Sequence, residues 1–180
     1  MMRELSLNIL DIAQNSIKAK ADLIEISVVA NRADDLLSIM IKDNGCGMTP
    51  EQVNSVTSPF YTTRTTRRVG LGIPLFKMAA EMTGGALKIE SKVGVGTTVK
   101  ADFGYSHIDR MPLGDMCSTM ITLIKMNPSI DFVYFEQLDD AQMTLDTRKI
   151  KEILQGVPID EPDVIKWIKE FITDGSPFLK

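Results

Sequence analysis

Two short segments, Asp43-Asn-Gly-Cys-Gly47 and Val69-Gly-Leu-Gly-Ile73, constrain this chain more than anything else in it. The first closes a run of apolar alternation from Leu37 to Ile41, so it reads as a strand end that turns on two glycines. The second opens an amphipathic stretch, Leu71 to Met82, so it reads as a glycine-rich loop feeding a helix. A carboxylate beside glycines can accept a hydrogen bond from a base edge while the backbone comes close. A glycine loop at a helix N-terminus offers bare N–H groups and a positive dipole end to phosphates. Together the two segments describe a purine nucleotide site.

The pattern around them supplies a frame. Leu5, Ile9, Ile12, Ala13 and Ile17 recur at helical spacing, so the chain opens with an amphipathic helix. Ile24, Ile26 and Val28 alternate, then Leu37, Ile39 and Ile41, with polar Asn31–Asp35 between them, which predicts a hairpin. Thr49 is the expected cap of a short helix with Pro50 at its first position. Ser58 to Val69, rich in Thr and Arg without a clean period, read as a mobile loop. A helix from near Leu71 is expected to stop at Gly84-Gly85. Strands follow over Ala86–Ser91 and Thr97–Phe103. The pattern breaks around Gly104–Met111. Beyond it come a helix marked by Leu113, Met116 and Met120, and a hairpin across Leu138–Asp140. Two more helices are expected, one capped by Asp146 or Thr147 and one started by Asp160 with Pro162.

The chain's 180 residues leave room for one core plus an appendage. A net charge of −4 argues against nucleic acid or an anionic membrane as partner. No apolar run approaches membrane-spanning length, and the N-terminus lacks a basic-then-apolar leader, so a cytoplasmic location is expected. Cys46 and Cys117 suit a reducing compartment and, with the single His107, make no zinc spacing.

Asp11 and Asn15 lie four apart on the first helix, hence on one face, with Asn8 one turn earlier. A carboxylate and an amide on such a stripe can ligate Mg²⁺ through oxygen or orient an attacking water. The bland alternative is a solvated polar face. Gly70 and Gly72 can likewise mark only a tight turn. A dinucleotide fingerprint is excluded because Leu75 stands where its third glycine belongs.

In order and spacing these segments resemble the ATPase superfamily shared by gyrase, heat-shock chaperones, histidine kinases and mismatch-repair proteins. Asp11-Ile-Ala-Gln-Asn15 looks like its N box and Asp43–Gly47 like its first glycine box. Phe60 with Tyr61-Thr-Thr-Arg64 looks like its F box and lid. Val69–Ile73 looks like the second glycine box and Gly94-Val-Gly-Thr97 like the third. The resemblance covers residues 1–104. It implies an α+β fold, the two-layer Bergerat sandwich with a mixed sheet and helices on one face. Residues 105–180 would then be a small α/β C-terminal extension.

The resemblance also implies roles. ATP and Mg²⁺ are the expected cofactors, with Asn15 on the metal. Asp43 would accept from the exocyclic amine of adenine, where guanine presents a carbonyl. Gly45 and Gly47 would admit the base, and Thr97 would support it. Asn8, Phe60, Leu71 and Ile73 would complete the nucleotide site, with Gly70 and Gly72 presenting N–H groups to phosphate. Arg64, Arg67 or Arg68 would reach the γ-phosphate. Asp11 stands where hydrolytic members place Glu, one methylene longer, and would act as base. His107, in Ser106–Leu113, resembles a phosphoacceptor box, with Arg110, Pro112 and Leu113 at the box's spacing. Ile108 replaces its usual acid, and the box follows the ATPase unit instead of preceding it. The plainer reading is a linker histidine.

The expected function is that of a Mg-ATP-binding, kinase-like regulator that transfers phosphoryl to a protein partner or hydrolyses ATP slowly. The alternatives are an ATP-gated protein-interaction module and a conformational ATPase of the gyrase type. The extension's apolar helices are expected to complete the core, bind a partner or form a homodimer.

Overall fold

The computed structural model describes residues 4–57 and 72–179. Residues 58–71 lie outside the described residues, and with them the loop and lid expectation and Phe60, Arg64, Arg67, Arg68, Gly70 and Leu71.

Helix α1 (Leu5–Lys18) buries Leu5, Ile9, Ile12 and Ala13, the stripe its 3.6-residue period dictates. Its first N–H groups have no partner within the helix. Those of Leu5 and Ser6 donate to the carbonyls of Pro112 and Leu113 instead, at 3.0 and 2.8 Å. Strands β1 (Leu23–Asn31) and β2 (Leu36–Asp43) form the expected antiparallel hairpin. Helix α2 (Pro50–Thr57) begins with a capping box. The Thr49 hydroxyl accepts from the Gln52 N–H, and Gln52 Oε1 accepts from the Thr49 N–H. Helix α3 (Gly72–Glu81), β3 (Ala86–Lys92) and β4 (Gly96–Gly104) complete the first segment.

Beyond it lie α4 (Met116–Met126), β5 (Asp131–Leu138), β6 (Ala141–Asp146), α5 (Thr147–Leu154) and α6 (Pro162–Gly175). Two starts differ from expectation. Leu113 is not helical, because its carbonyl and that of Pro112 are held by α1; Asp115 caps α4 through the Ser118 N–H. The residue flanking α6 is Glu161, directly before Pro162, and not Asp160.

The six strands of the described residues form one sheet in the order β3-β4-β2-β1-β5-β6. Neighbours are antiparallel except β1 and β5, which run parallel. The sheet is therefore mixed, and the hairpin of the C-terminal segment extends it. Register fixes which face is covered. Ile39 of β2, Val28 of β1 and Glu136 of β5 stand side by side, as do Ile41, Ile26 and Tyr134. All six are buried. The other set of the period-2 alternation, including Glu25, Ser27 and Lys42, faces away from them and is half-buried or exposed. Helices cover the apolar face, as in the two-layer sandwich expected. There Phe76 of α3 meets Phe103 of β4 with ring centroids 5.4 Å apart.

Candidate functional site

A cavity of about 410 Å³ opens where α1, the end of β2, α2 and the first turn of α3 converge. Asn15, Asp43, Gly47, Ile73 and Thr97 line it, so the structure brings together five of the expected residues. Its central group is the Asp43 carboxylate. Oδ2 accepts from the Ser16 hydroxyl at 2.6 Å, and Oδ1 accepts from the Gly45 N–H at 2.9 Å. One oxygen is thereby tied to the helix and the other to the turn, which fixes the carboxylate plane. A carboxylate offers about four lone-pair positions, so acceptor capacity remains toward the cavity.

Thr97 pairs directly with Asp43 across β2 and β4, placing both on the helix-covered face. Its hydroxyl lies 2.8 Å from the hydroxyl of Ser91, which accepts from the Met48 N–H and donates to the Gly96 carbonyl. This small network fastens the 43–48 turn to the β3–β4 hairpin. The Cys46 carbonyl accepting from the Gly94 N–H at 2.8 Å is a second fastening. Gly47 sits at φ +69°, and a Cβ there would stand 2.0 Å from the Lys92 carbonyl oxygen. Any side chain would push these turns apart.

Asp11 lies one helical turn before Asn15, against the start of α3. A Cβ on Gly72 would fall 1.8 Å from Asp11 Oδ2. That oxygen is buried and has no hydrogen-bond partner among the described residues. Asn8 is buried too, but it borders a separate cavity of about 60 Å³ with Met78, Met82, Asp109 and Met111. Asn8 does not line the Asp43 cavity. His107 is exposed on the turn after β4. Gly104 pairs with Leu36 and Thr97 with Asp43, so His107 follows the end of the sheet opposite Asp43. Eight-residue β2 separates the two ends by roughly 23 Å at about 3.3 Å per residue.

Sequence reasoning missed Ser16 and Ser91. Each carried a signal: a hydroxyl on an otherwise apolar stripe. Ser16 continues Ile9, Ile12 and Ala13 on α1, and Ser91 continues Leu87 and Ile89 on β3. A polar group in such a position needs a partner. Cys46 lines the cavity and is an exposed free thiol. Among the described residues no group of three His, Cys, Asp or Glu side chains is placed to hold a metal, and no helix is long and apolar enough to cross a membrane.

The family described as histidine kinase-, DNA gyrase B-, and HSP90-like ATPase matches residues 2–106. The chain is similar to the histidine protein kinase DivJ of Caulobacter vibrioides, 32% identical over 101 residues, 54% of this chain and 17% of that protein. It is similar also to the sensor protein SrrB of Staphylococcus aureus, 35% identical over 102 residues, again 54% of this chain and 17% of that one. The match thus spans about one-sixth of these relatives' length. Among solved structures, the MutL ATPase domain of Aquifex aeolicus, complexed with ADP, shares the fold with TM-score 0.50 at 16% identity, covering 86% of this chain and 70% of that one. The N-terminal domain of a DNA repair protein does so with TM-score 0.52 at 17% identity, covering 81% and 52%. With more than half its length matched, the chain belongs to the histidine kinase-, DNA gyrase B- and HSP90-like ATPase family and carries an ATP-binding domain of the histidine kinase-like kind.

Proposed function

We propose that this chain binds Mg-ATP in the Asp43 cavity and serves as a kinase-like regulator, passing the γ-phosphoryl group to a protein partner or releasing it slowly to water. The observation that carries this reading is the Asp43 carboxylate, held by Ser16 and Gly45 with Thr97 beside it. Its remaining lone pairs suit the exocyclic amine of adenine. A guanine carbonyl there would leave two acceptors facing each other.

Asn15 and Asp11 fit a magnesium ion bound with phosphate. Mg²⁺ takes few protein oxygens and completes its shell with phosphate and water. The buried Asp11 Oδ2 accepts no hydrogen bond from any of the described residues. Asn15 would hold the ion and Asp11 would orient an incoming hydroxyl or water; the metal would neutralise phosphate charge. Residues 1–104 would form the nucleotide-binding unit. Residues 105–180, which add β5 and β6 to its sheet, would be the extension that meets a partner. His107 lies at the far end of β2, so the acceptor is proposed to belong to that partner. The cytoplasm is the proposed setting.

One observation favours a second reading, an ATP-gated interaction module. Ile153 of α5 and Trp167 of α6 are 79% and 50% exposed, and Trp167 stacks on Phe171 with centroids 5.4 Å apart. Apolar surface of this kind marks interaction sites. Incubation with γ-labelled ATP separates the two. Label on a partner protein, or slow release of free phosphate, supports the kinase-like reading. Bound ATP that stays intact over hours contradicts it and favours the gated module.

A further inference from the structure

On the helix-covered face, toward the Leu36 end of β2, a second cavity of about 690 Å³ lies between α4, α6 and the start of α1. Its size suits a small organic molecule. Glu136 of β5 lines it. The run Phe132, Tyr134, Glu136 faces the helices, so Glu136 holds a position where an apolar residue is expected. In the ladder it stands between Val28 of β1 and Met143 of β6, and it is 1% exposed.

This carboxyl group is half satisfied. The Tyr134 hydroxyl donates to Oε1. Burial holds that phenol far above its ordinary pKa, so it stays protonated and keeps donating. Oε2 is buried with no partner among the described residues. Buried carboxyl oxygens are ordinarily paired, because the lost hydration must be replaced. The other polar groups of the cavity do not supply the missing donor. Arg110 spends Nε and Nη1 on the carbonyls of Tyr105 and Met111. Asp115 is itself an acceptor, taken up by the Ser118 N–H and hydroxyl. Exposed Lys169 lines the cavity from α6, and Glu136 Oε2 is still without a donor. Met116, Ile172 and Phe178 are among the apolar residues of the cavity's lining.

We infer that this cavity binds a small organic amine, its ammonium group reaching Glu136 and its apolar body lying against Met116, Ile172 and Phe178. The site is separate from the Asp43 cavity and requires no nucleotide. A buried carboxylate in a cavity wall selects a cation with a hydrocarbon body over a neutral molecule of the same shape.

The test uses the full chain, titrated calorimetrically and by thermal unfolding with phenethylamine and isoamylamine, and with phenethyl alcohol and isoamyl alcohol as uncharged counterparts. At least one amine should bind saturably, raise the unfolding midpoint, and bind about tenfold more tightly than its alcohol. Glu136→Gln should bring the amine down to the level of the alcohol while the unfolded fraction at the working temperature stays unchanged. Leu113→Trp, which puts a larger side chain into the cavity wall, should abolish binding of both. Failure of both amines to saturate at millimolar concentration overturns the proposal, as does a Glu136→Gln chain that binds amines like the parent. Should Glu136→Gln fail to fold, undiminished amine binding in Leu113→Trp overturns it equally.

Discussion

The Ser16 hydroxyl donates a 2.6 Å hydrogen bond to Asp43 Oδ2, joining the first helix to the strand end that lines the cavity. Ser16 is 3% exposed, so its hydroxyl has exchanged water for Asp43, and losing the bond is felt by the carboxylate it positions. Ser16→Ala should leave the chain folded and weaken ATP binding by about tenfold, the equivalent of roughly 1.4 kcal/mol. Calorimetric titration measures it. A change below twofold would mean that Gly45 alone orients Asp43.

Gly72 and Asp11 make a close contact between α1 and α3. Since a Cβ on Gly72 would meet Asp11 Oδ2 at 1.8 Å, Gly72→Ala must rotate the Asp11 carboxylate or part the helices. The expected destabilisation is about 1–3 kcal/mol, as for other overpacked sites. Adding Asp11→Ala removes the clash, so the double variant should recover most of that stability and none of any ATP turnover. Denaturant unfolding of the two single variants and the double gives the coupling. Simple additivity of the two stability changes would contradict the contact.

Asn15→Ala should weaken ATP binding measured with magnesium far more than binding measured in a chelator. Asn15 lines the cavity on the same helix as Asp11, and an amide oxygen is a modest ligand that matters through the metal. Equal losses with and without magnesium would assign Asn15 to the nucleotide itself.

His107→Gln should change neither ATP affinity nor labelling by γ-labelled ATP. Phosphoryl transfer needs its acceptor in line with the γ-phosphate, and β2 stands roughly 23 Å long between the two ends of the sheet by its rise per residue. Acid-labile, base-stable label on the chain that disappears in His107→Gln would contradict this.

Much of this architecture is legible in local pattern. The β1–β2 hairpin, β4 and α1 follow from periods of 2 and 3.6, and Asp43, Gly47 and Thr97 fall together because β2 pairs with β4 in register. What is not legible is non-local. Nothing near Asp131 announces that β5 will lie parallel to β1, more than a hundred residues earlier. Asn8 shares a helical stripe with Asn15 yet lies seven residues away, about 10 Å along the axis, which is enough to put it in another cavity. Leu113 looks helical by hydrophobicity but spends its carbonyl on α1. Ser16 was readable as a polar break in an apolar stripe, though the partner it seeks is 27 positions on.

Asp43 is proposed to read an adenine. Titration of the parent chain and of Asp43→Asn with ATP and GTP tests it most directly. The parent should bind ATP at least a hundredfold more tightly than GTP, about 2.7 kcal/mol, the scale on which an unpaired buried polar group discriminates. Asp43→Asn should lose most ATP affinity, because the Gly45 N–H keeps the one remaining oxygen and the new NH₂ turns a donor toward the cavity, where the adenine amine also donates. Equal affinity of the parent for both nucleotides, or an Asp43→Asn chain that binds ATP like the parent, would contradict the account.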